Sequence, residues 1–385
     1  VRIWTSSTLD WEETGSINCI STLEDAQLRT IRCCEWSPNG KHIACASFDG
    51  TVVVWEAQNR EKTRWDQIAA LEGHENEVKS VAWSPNGQWL ATCGRDKKIW
   101  VWERIVSKNC YEFECVSMLD GHTQDVKFII WHPNADNILF SASYDDTIKI
   151  WGCDEGDDEF YCLNTIEGHS NTVWGIDIRN TFIHTSNNGN VMPPPCQIVT
   201  CSADLSFKLW EHSNNKKNGS GSGNFNSGSS TWQEMACIKN LHKFPIYSVS
   251  WNTDPSIPCQ DALGNNEIVH GNIIATGGGD NTINIIHSSN DESGVPVIKC
   301  IQTILNAHDG DINCVRWGPR IITDKDEENE TDQYLAKINN NDGSIIDIKG
   351  GSDSGSGSVN MNLPTSHILA TTGDDGFLKL WKISV

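Results

Sequence analysis

Apolar and polar positions alternate with a period of two over Val78–Trp83, and extended runs follow at Trp89–Cys93 and Ile99–Trp102. Ser84-Pro85-Asn86-Gly87 and Arg95-Asp96 punctuate these runs, so the stretch 71–104 predicts a β-meander with tight turns. His74 precedes the first strand and Asp96 occupies the second turn, while Thr92 and Trp102 lie on the strands. An indole N–H inside a stack of sheets needs an acceptor, and a hydroxyl, an imidazole and a carboxylate can be chained to supply one. The four residues therefore predict a structural lock of loop onto strands. The set returns as His122, Ser141, Asp145 and Trp151, and again as His169, Thr200, Asp204 and Trp210. His242, Thr276 and Asp280 end on Ile286 in place of Trp, and His308, Thr371, Asp375 and Trp381 close the chain. Upstream, Cys45, Asp49 and Trp55 form a copy without the His. In every copy the Asp stands six residues before the Trp or its substitute.

Repeats of this period and punctuation resemble WD-repeat β-propellers, whose blades carry four strands each and a Gly-His…Trp-Asp signature. The expected fold is all-β, a seven-bladed WD40 β-propeller with the first blade incomplete at the N-terminus, because Val1–Trp4 reads as a third strand without its first two. The blades are expected at 1–23, 24–71, 72–119, 120–166, 167–241, 242–304 and 305–385 of a single domain, and a six-bladed ring is the alternative. Connections swell at 180–196, 211–231, 252–271 and 318–366, where Asn, Gly, Ser and Asp dominate. These read as tolerated surface insertions. They all fall on one side of a propeller, which leaves the side built from His- and Asp-bearing loops short in every complete blade.

Charge and cysteine content narrow the field. The 385 residues carry a net charge of −22, which argues against binding nucleic acid through a phosphate-neutralising surface. No apolar run is long enough for a membrane span. The 15 cysteines include no Cys-x-x-Cys, so no cofactor or metal is expected. Free thiols in this number read as small buried hydrophobes of a cytoplasmic or nuclear protein.

Against that acidic background, cations gather on the insertion-free side. Arg32 and Phe48 come from blade two, Glu77, Lys79 and Arg95 from blade three, and Lys127 and Tyr144 from blade four. Trp174 and Tyr247 continue the series in blades five and six. Arg and aromatic residues dominate interface energetics. The group predicts a docking site for an acidic or carboxylate-bearing protein segment, anchored by Arg95, whose guanidinium can bind a carboxylate through two parallel N–H bonds. The alternative is a solvated Arg95 paired with Glu77.

The phrases HENEVK at 74–79 and GRDK at 94–97, with HTQDVKFIIWHP at 122–133, SASYDDTIKIW at 141–151 and GHSNTVWGIDI at 168–178, resemble the WD-repeat protein of the cytosolic iron–sulfur assembly machinery. The likeness is densest over 30–180. It implies a seven-bladed, non-enzymatic scaffold of the complex that hands iron–sulfur clusters to cytosolic and nuclear apoproteins. It also implies three partners: a small cysteine-bearing assembly protein, a HEAT-repeat adaptor and an iron-only-hydrogenase-like carrier. The family's functional Arg falls on Arg95, although Gly94 stands where the family has Ser. A ubiquitin-ligase substrate receptor or a chromatin-associated reader is the competing kind of adaptor.

Overall fold

The computed structural model describes residues 1–6, 17–24, 26–107, 110–154, 159–179, 197–213, 231–252, 257–260, 266–269, 273–290, 295–318 and 366–384. Most of each predicted insertion lies outside these residues. All regular structure among the described residues is β. Four-stranded antiparallel sheets span 31–71, 78–119, 126–166, 173–239 and 246–304, a three-stranded sheet spans 312–384, and Arg2–Ser6 pairs with Ile17–Thr22. The expected ring of seven blades is therefore six sheets of three or four strands plus a two-stranded pair. Within each of the six sheets the strands follow one another in chain order, the meander that the turns predict. The 246–304 sheet carries a further hairpin, Ile257–Gln260 with Asn266–Val269, inside one of the predicted insertions.

Position in the sheet explains composition. The second strands His42–Ser47, Trp89–Gly94, Ile138–Ser143, Gln197–Ser202 and Ile273–Gly278 are buried along their whole length. Both of their faces meet a neighbouring sheet, so apolar and small residues replace polar alternation. Small residues are needed where sheets approach most closely: a Cβ on Gly277 would sit 2.5 Å from Cγ2 of Ile312 in the next blade. The core is accordingly a series of layers between successive blades. One layer joins Ala91, Ile99 and Val101 to Ile129, Trp131 and Trp151. Another joins Val199, Cys201 and Leu209 to Val249, Trp251 and Ile274.

Successive first strands, Ile31–Trp36, Val78–Trp83, Val126–Trp131, Val173–Ile178, Ile246–Trp251 and Ile312–Trp317, lie side by side around a central channel. Indole donors tie some of them together: Trp131 Nε1 donates to the Ala82 carbonyl, and Trp317 Nε1 to that of Ser250, each at 3.0 Å.

The cysteine expectation needs correction. Cys45, Cys93, Cys153 and Cys201 are buried, but Cys19, Cys34, Cys115 and Cys162 are exposed. Cys19, Cys115 and Cys162 lie on outermost strands, one face of which meets solvent. There the thiol bonds locally instead of packing, Cys162 Sγ donating to the Asn164 carbonyl at 3.5 Å and Cys19 Sγ to that of Ser21 at 3.4 Å.

Candidate protein-docking face

The His- and Asp-bearing loops are fixed by the predicted locks. In the 78–119 blade Trp102 Nε1 donates to Thr92 Oγ1 at 3.0 Å, Thr92 Oγ1 lies 2.9 Å from His74 Nε2, and His74 Nδ1 lies 2.8 Å from Asp96 Oδ2. Hydrogen counting sets the polarity. The carboxylate can only accept, so Nδ1 carries the proton, Nε2 accepts the hydroxyl, and the hydroxyl oxygen takes the indole N–H. Trp151, Ser141, His122 and Asp145 repeat the relay at 2.8, 2.7 and 2.9 Å. Trp210, Thr200, His169 and Asp204 do so at 2.9, 2.8 and 2.8 Å, and Trp381, Thr371, His308 and Asp375 at 2.8, 2.9 and 2.9 Å. Where Ile286 replaces the Trp, Thr276 Oγ1 keeps its place 2.9 Å from His242 Nε2 without an indole donor behind it, and Asn284 Nδ2 approaches the same nitrogen at 3.0 Å.

Burial alone would raise the carboxyls of Asp96, Asp145, Asp204, Asp280 and Asp375. Hydrogen bonds from the His rings and neighbouring hydroxyls or amides outweigh it and hold all five below the usual carboxylate range. Burial likewise drives His122 towards its neutral form, against the pull of Asp145. Each Asp is followed by a left-handed residue: Gly50, Lys97, Asp146, Leu205, Asn281 and Gly376 all have φ between 61° and 91°.

The blade without a His reveals a substitution hidden from pattern reading. Leu28 N–H donates to Asp49 Oδ2 at 2.9 Å, as Thr123 N–H does to Asp145 Oδ2. Gln27 therefore stands where the other copies have His, and its amide donates instead to the Cys45 carbonyl at 2.9 Å.

On this scaffold the structure brings most of the predicted docking residues into short contacts. Arg95, with 58% of its side chain exposed, lies 3.3 Å from Glu77 Oε1. Arg29 reaches the same carboxylate at 4.0 Å and donates to the Phe48 carbonyl at 2.9 Å. Glu77 is held below the usual carboxylate range by its own amide, with Lys79 and Arg95 adding to it against partial burial. Lys79 Nζ sits 4.1 Å from the centroid of Phe48, and burial lowers this ammonium. Lys127 Nζ lies 3.1 Å from Asp125 Oδ2 and about equally far from two rings, 5.0 Å from Tyr144 and 5.1 Å from Trp174. Trp174 meets Tyr247 edge to face at 5.2 Å, and its indole N–H is buried without an acceptor among the described residues. Burial and the adjacent Asp311 carboxylate push the Tyr247 phenol up. Arg32 joins none of these contacts among the described residues. Arg29 was missed because it occupies the His-less loop, where the repeat offers no landmark.

The aromatic rings cover the carbon stems of Lys79 and Lys127, and the Lys127 side chain, 11% exposed, has its ammonium paired with Asp125. Arg95 is tethered by one exposed pair, an interaction weak enough to be exchanged for a partner's carboxylate. Arg29 and Arg95 share the single Glu77 carboxylate.

Comparison with known proteins places the chain among others of this kind. The family described as "WD domain, G-beta repeat" matches residues 17–56, 65–103, 113–152 and 160–211. The chain is 32% identical to the "Probable cytosolic iron-sulfur protein assembly protein CIAO1 homolog" of Schistosoma japonicum, over 94% of its own length and 84% of the relative's. It is 30% identical to the "Probable cytosolic iron-sulfur protein assembly protein 1" of Vanderwaltozyma polyspora, over 93% and 82%. The protein of the same name from Pyricularia oryzae is 28% identical over 62% of this chain and 65% of the relative.

Proposed function

The chain belongs to the cytosolic iron–sulfur protein assembly family of WD-repeat propellers, and from that premise we propose that it is a non-catalytic scaffold in cytosolic iron–sulfur protein assembly, gripping other proteins through the face that carries Arg95. The observation that carries this reading is an exposed guanidinium beside two ammonium groups held over aromatic rings, all next to the His- and Asp-bearing loops. The resulting receptor suits a carboxylate-bearing protein segment. Arg95 is its anchor, Lys79 and Lys127 add charge, and Phe48, Tyr144, Trp174 and Tyr247 supply rigid apolar walls. Arg32 and Glu77 belong to the rim.

The partners proposed are the small cysteine-bearing assembly protein, the HEAT-repeat adaptor and the iron-only-hydrogenase-like carrier, with cytosolic and nuclear apoproteins as clients. In this reading the iron–sulfur cluster is cargo of the assembly and the propeller holds none. The histidines His74, His122, His169, His242 and His308 serve as mortar within blades, each with an Asp on one nitrogen and a hydroxyl on the other.

We also count the pair Arg2–Ser6 and Ile17–Thr22 as part of a seventh blade. Its register shifts beside Trp4, which faces Cys19, just as the third and fourth strands of another blade shift beside Trp151, which faces Cys162. Affinity capture from native cells, with mass spectrometry of the bound proteins, tests the reading. Iron–sulfur assembly proteins should come down with the chain. Recovery of ubiquitin-ligase or chromatin components in their place would overturn it.

A further inference from the structure

The first strand of each blade pairs with the second along one edge and turns its other edge to the channel. The N–H groups on that open edge need acceptors. Side chains of the preceding blade supply them. Ser248 Oγ accepts the Val315 N–H at 3.1 Å, and Ser250 Oγ accepts that of Trp317 at 3.3 Å. In the 173–239 blade the same task falls to a carboxylate: Asp177 Oδ2 accepts the Trp251 N–H at 2.7 Å, and its Oδ1 accepts the N–H of Ile178 at 2.8 Å. Glu35 accepts the Trp83 N–H in the same manner.

Serine does this without charge, whereas Asp177 is 8% exposed and a buried carboxylate is costly unless a cation faces it. That cation comes from the next blade but one. Arg316 Nη1 lies 3.8 Å from Asp177 Oδ2, its guanidinium lies 5.5 Å from the Phe128 ring, and its charge acts on Glu35. Glu35, Asp177 and Arg316 are each the fifth residue of a six-residue first strand, so all three stand at one level of the channel. Ala82, Ile130 and Ser250 hold this position in the other blades and bring no charge.

We infer that Arg316 and Asp177 form a clasp across the central channel, which ties the 312–384 blade to the non-adjacent 173–239 blade and keeps Asp177 bonded to the inner edge of the blade between them. Sheet-to-sheet packing joins neighbours only; the clasp reaches past one. Burial raises both Asp177 and Glu35, and in each Arg316 is the main opposing influence. An arginine merely lining a wet channel would act independently of Asp177.

The test is hydrogen exchange and thermal melting of the full chain in four forms: wild type, Arg316→Met, Asp177→Asn and the double variant. Arg316→Met should lower the melting temperature and speed exchange at the Trp251 amide by about tenfold or more, although Trp251 belongs to another blade. Adding Asp177→Asn removes the unpaired charge, so the double variant should melt higher than Arg316→Met alone. Arg316→Lys, which keeps the charge, should preserve slow exchange at Trp251 and provides the comparison if Arg316→Met does not fold. Unchanged exchange at Trp251 in Arg316→Met, additive losses in the double variant, or an Arg316→Lys protein with fast exchange at Trp251 would each overturn the clasp.

Discussion

At the scale of single residues, the locks convert sequence spacing into stability. Trp102 is 6% exposed and its indole N–H is satisfied inside the relay. Trp102→Ala should cost about 3–5 kcal/mol in chemical denaturation, the range for deleting a buried aromatic. Thr92→Val is the finer probe: shape is nearly kept, but Trp102 Nε1 loses its acceptor and His74 Nε2 its donor, so about 1–3 kcal/mol should go. An unchanged denaturation midpoint for either variant would remove that residue from the relay. Acid should act through the same groups. The Asp carboxyls titrate lower folded than unfolded, so their contribution is complete above the unfolded carboxylate pKa of about 4 and drains as pH falls below it. The depressed His122 works in the same direction from about pH 6.5 downwards, since the folded state favours its neutral ring. The stability difference between wild type and Asp145→Asn should thus be widest near neutral pH and shrink below about pH 4. These sets were legible because hydrogen-bonding needs fix residue types at fixed spacings. Gln27 and Arg29 were not, because a glutamine side chain can satisfy other acceptors from the same backbone position and leaves no His to mark the loop.

At the scale of elements, turns and strands follow rules that differ in how openly they are written. The strand Val78–Trp83 begins and ends where alternation places it, whereas the strand read as Ile99–Trp102 continues to Ser107. Its extension pairs with Cys110–Leu119 as a long outer hairpin, a partner that alternation within one strand does not reveal. The turns after each Asp need a left-handed residue, and exposed Lys97, at φ 71°, occupies one without being glycine. Lys97→Gly should therefore raise stability by about 1 kcal/mol, the order of the left-handed penalty for a residue with a Cβ; a loss on denaturation would contradict that. The inner strand Ile31–Trp36 hides a different tension. Burial pushes Glu35 up to about 8, with Arg316 opposing. A carboxyl that titrates higher folded than unfolded subtracts stability progressively as pH rises from its unfolded value towards its folded one. Glu35→Gln, which can still accept the Trp83 N–H, should match wild type near pH 4 and melt higher than wild type at about pH 8. Equal melting at both values would contradict the shift.

At the scale of the whole molecule, the docking residues are assembled by the ring. The His- and Asp-bearing loops are short and locked, and the side chains beside them are positioned by strands of five different blades. Fold class could be read from the repeat because the same four-stranded unit must be specified several times over. The number of blades could not be fixed in that way, since the first sheet has two strands and the last has three. Nor could the docking face be read in full. Which cations are held over rings and which are paired depends on neighbours in adjacent blades, as with Lys127 between Tyr144 and Trp174. The account rests on this face gripping a partner's carboxylate, and Arg95 tests that most directly. Binding of the captured partner to wild type and to Arg95→Glu should be compared by calorimetry, with a melting curve for each. The account predicts superimposable melting and a loss of about 2–5 kcal/mol in binding, the range for breaking a charge pair at an interface. Binding at wild-type strength by the reversed charge would contradict it.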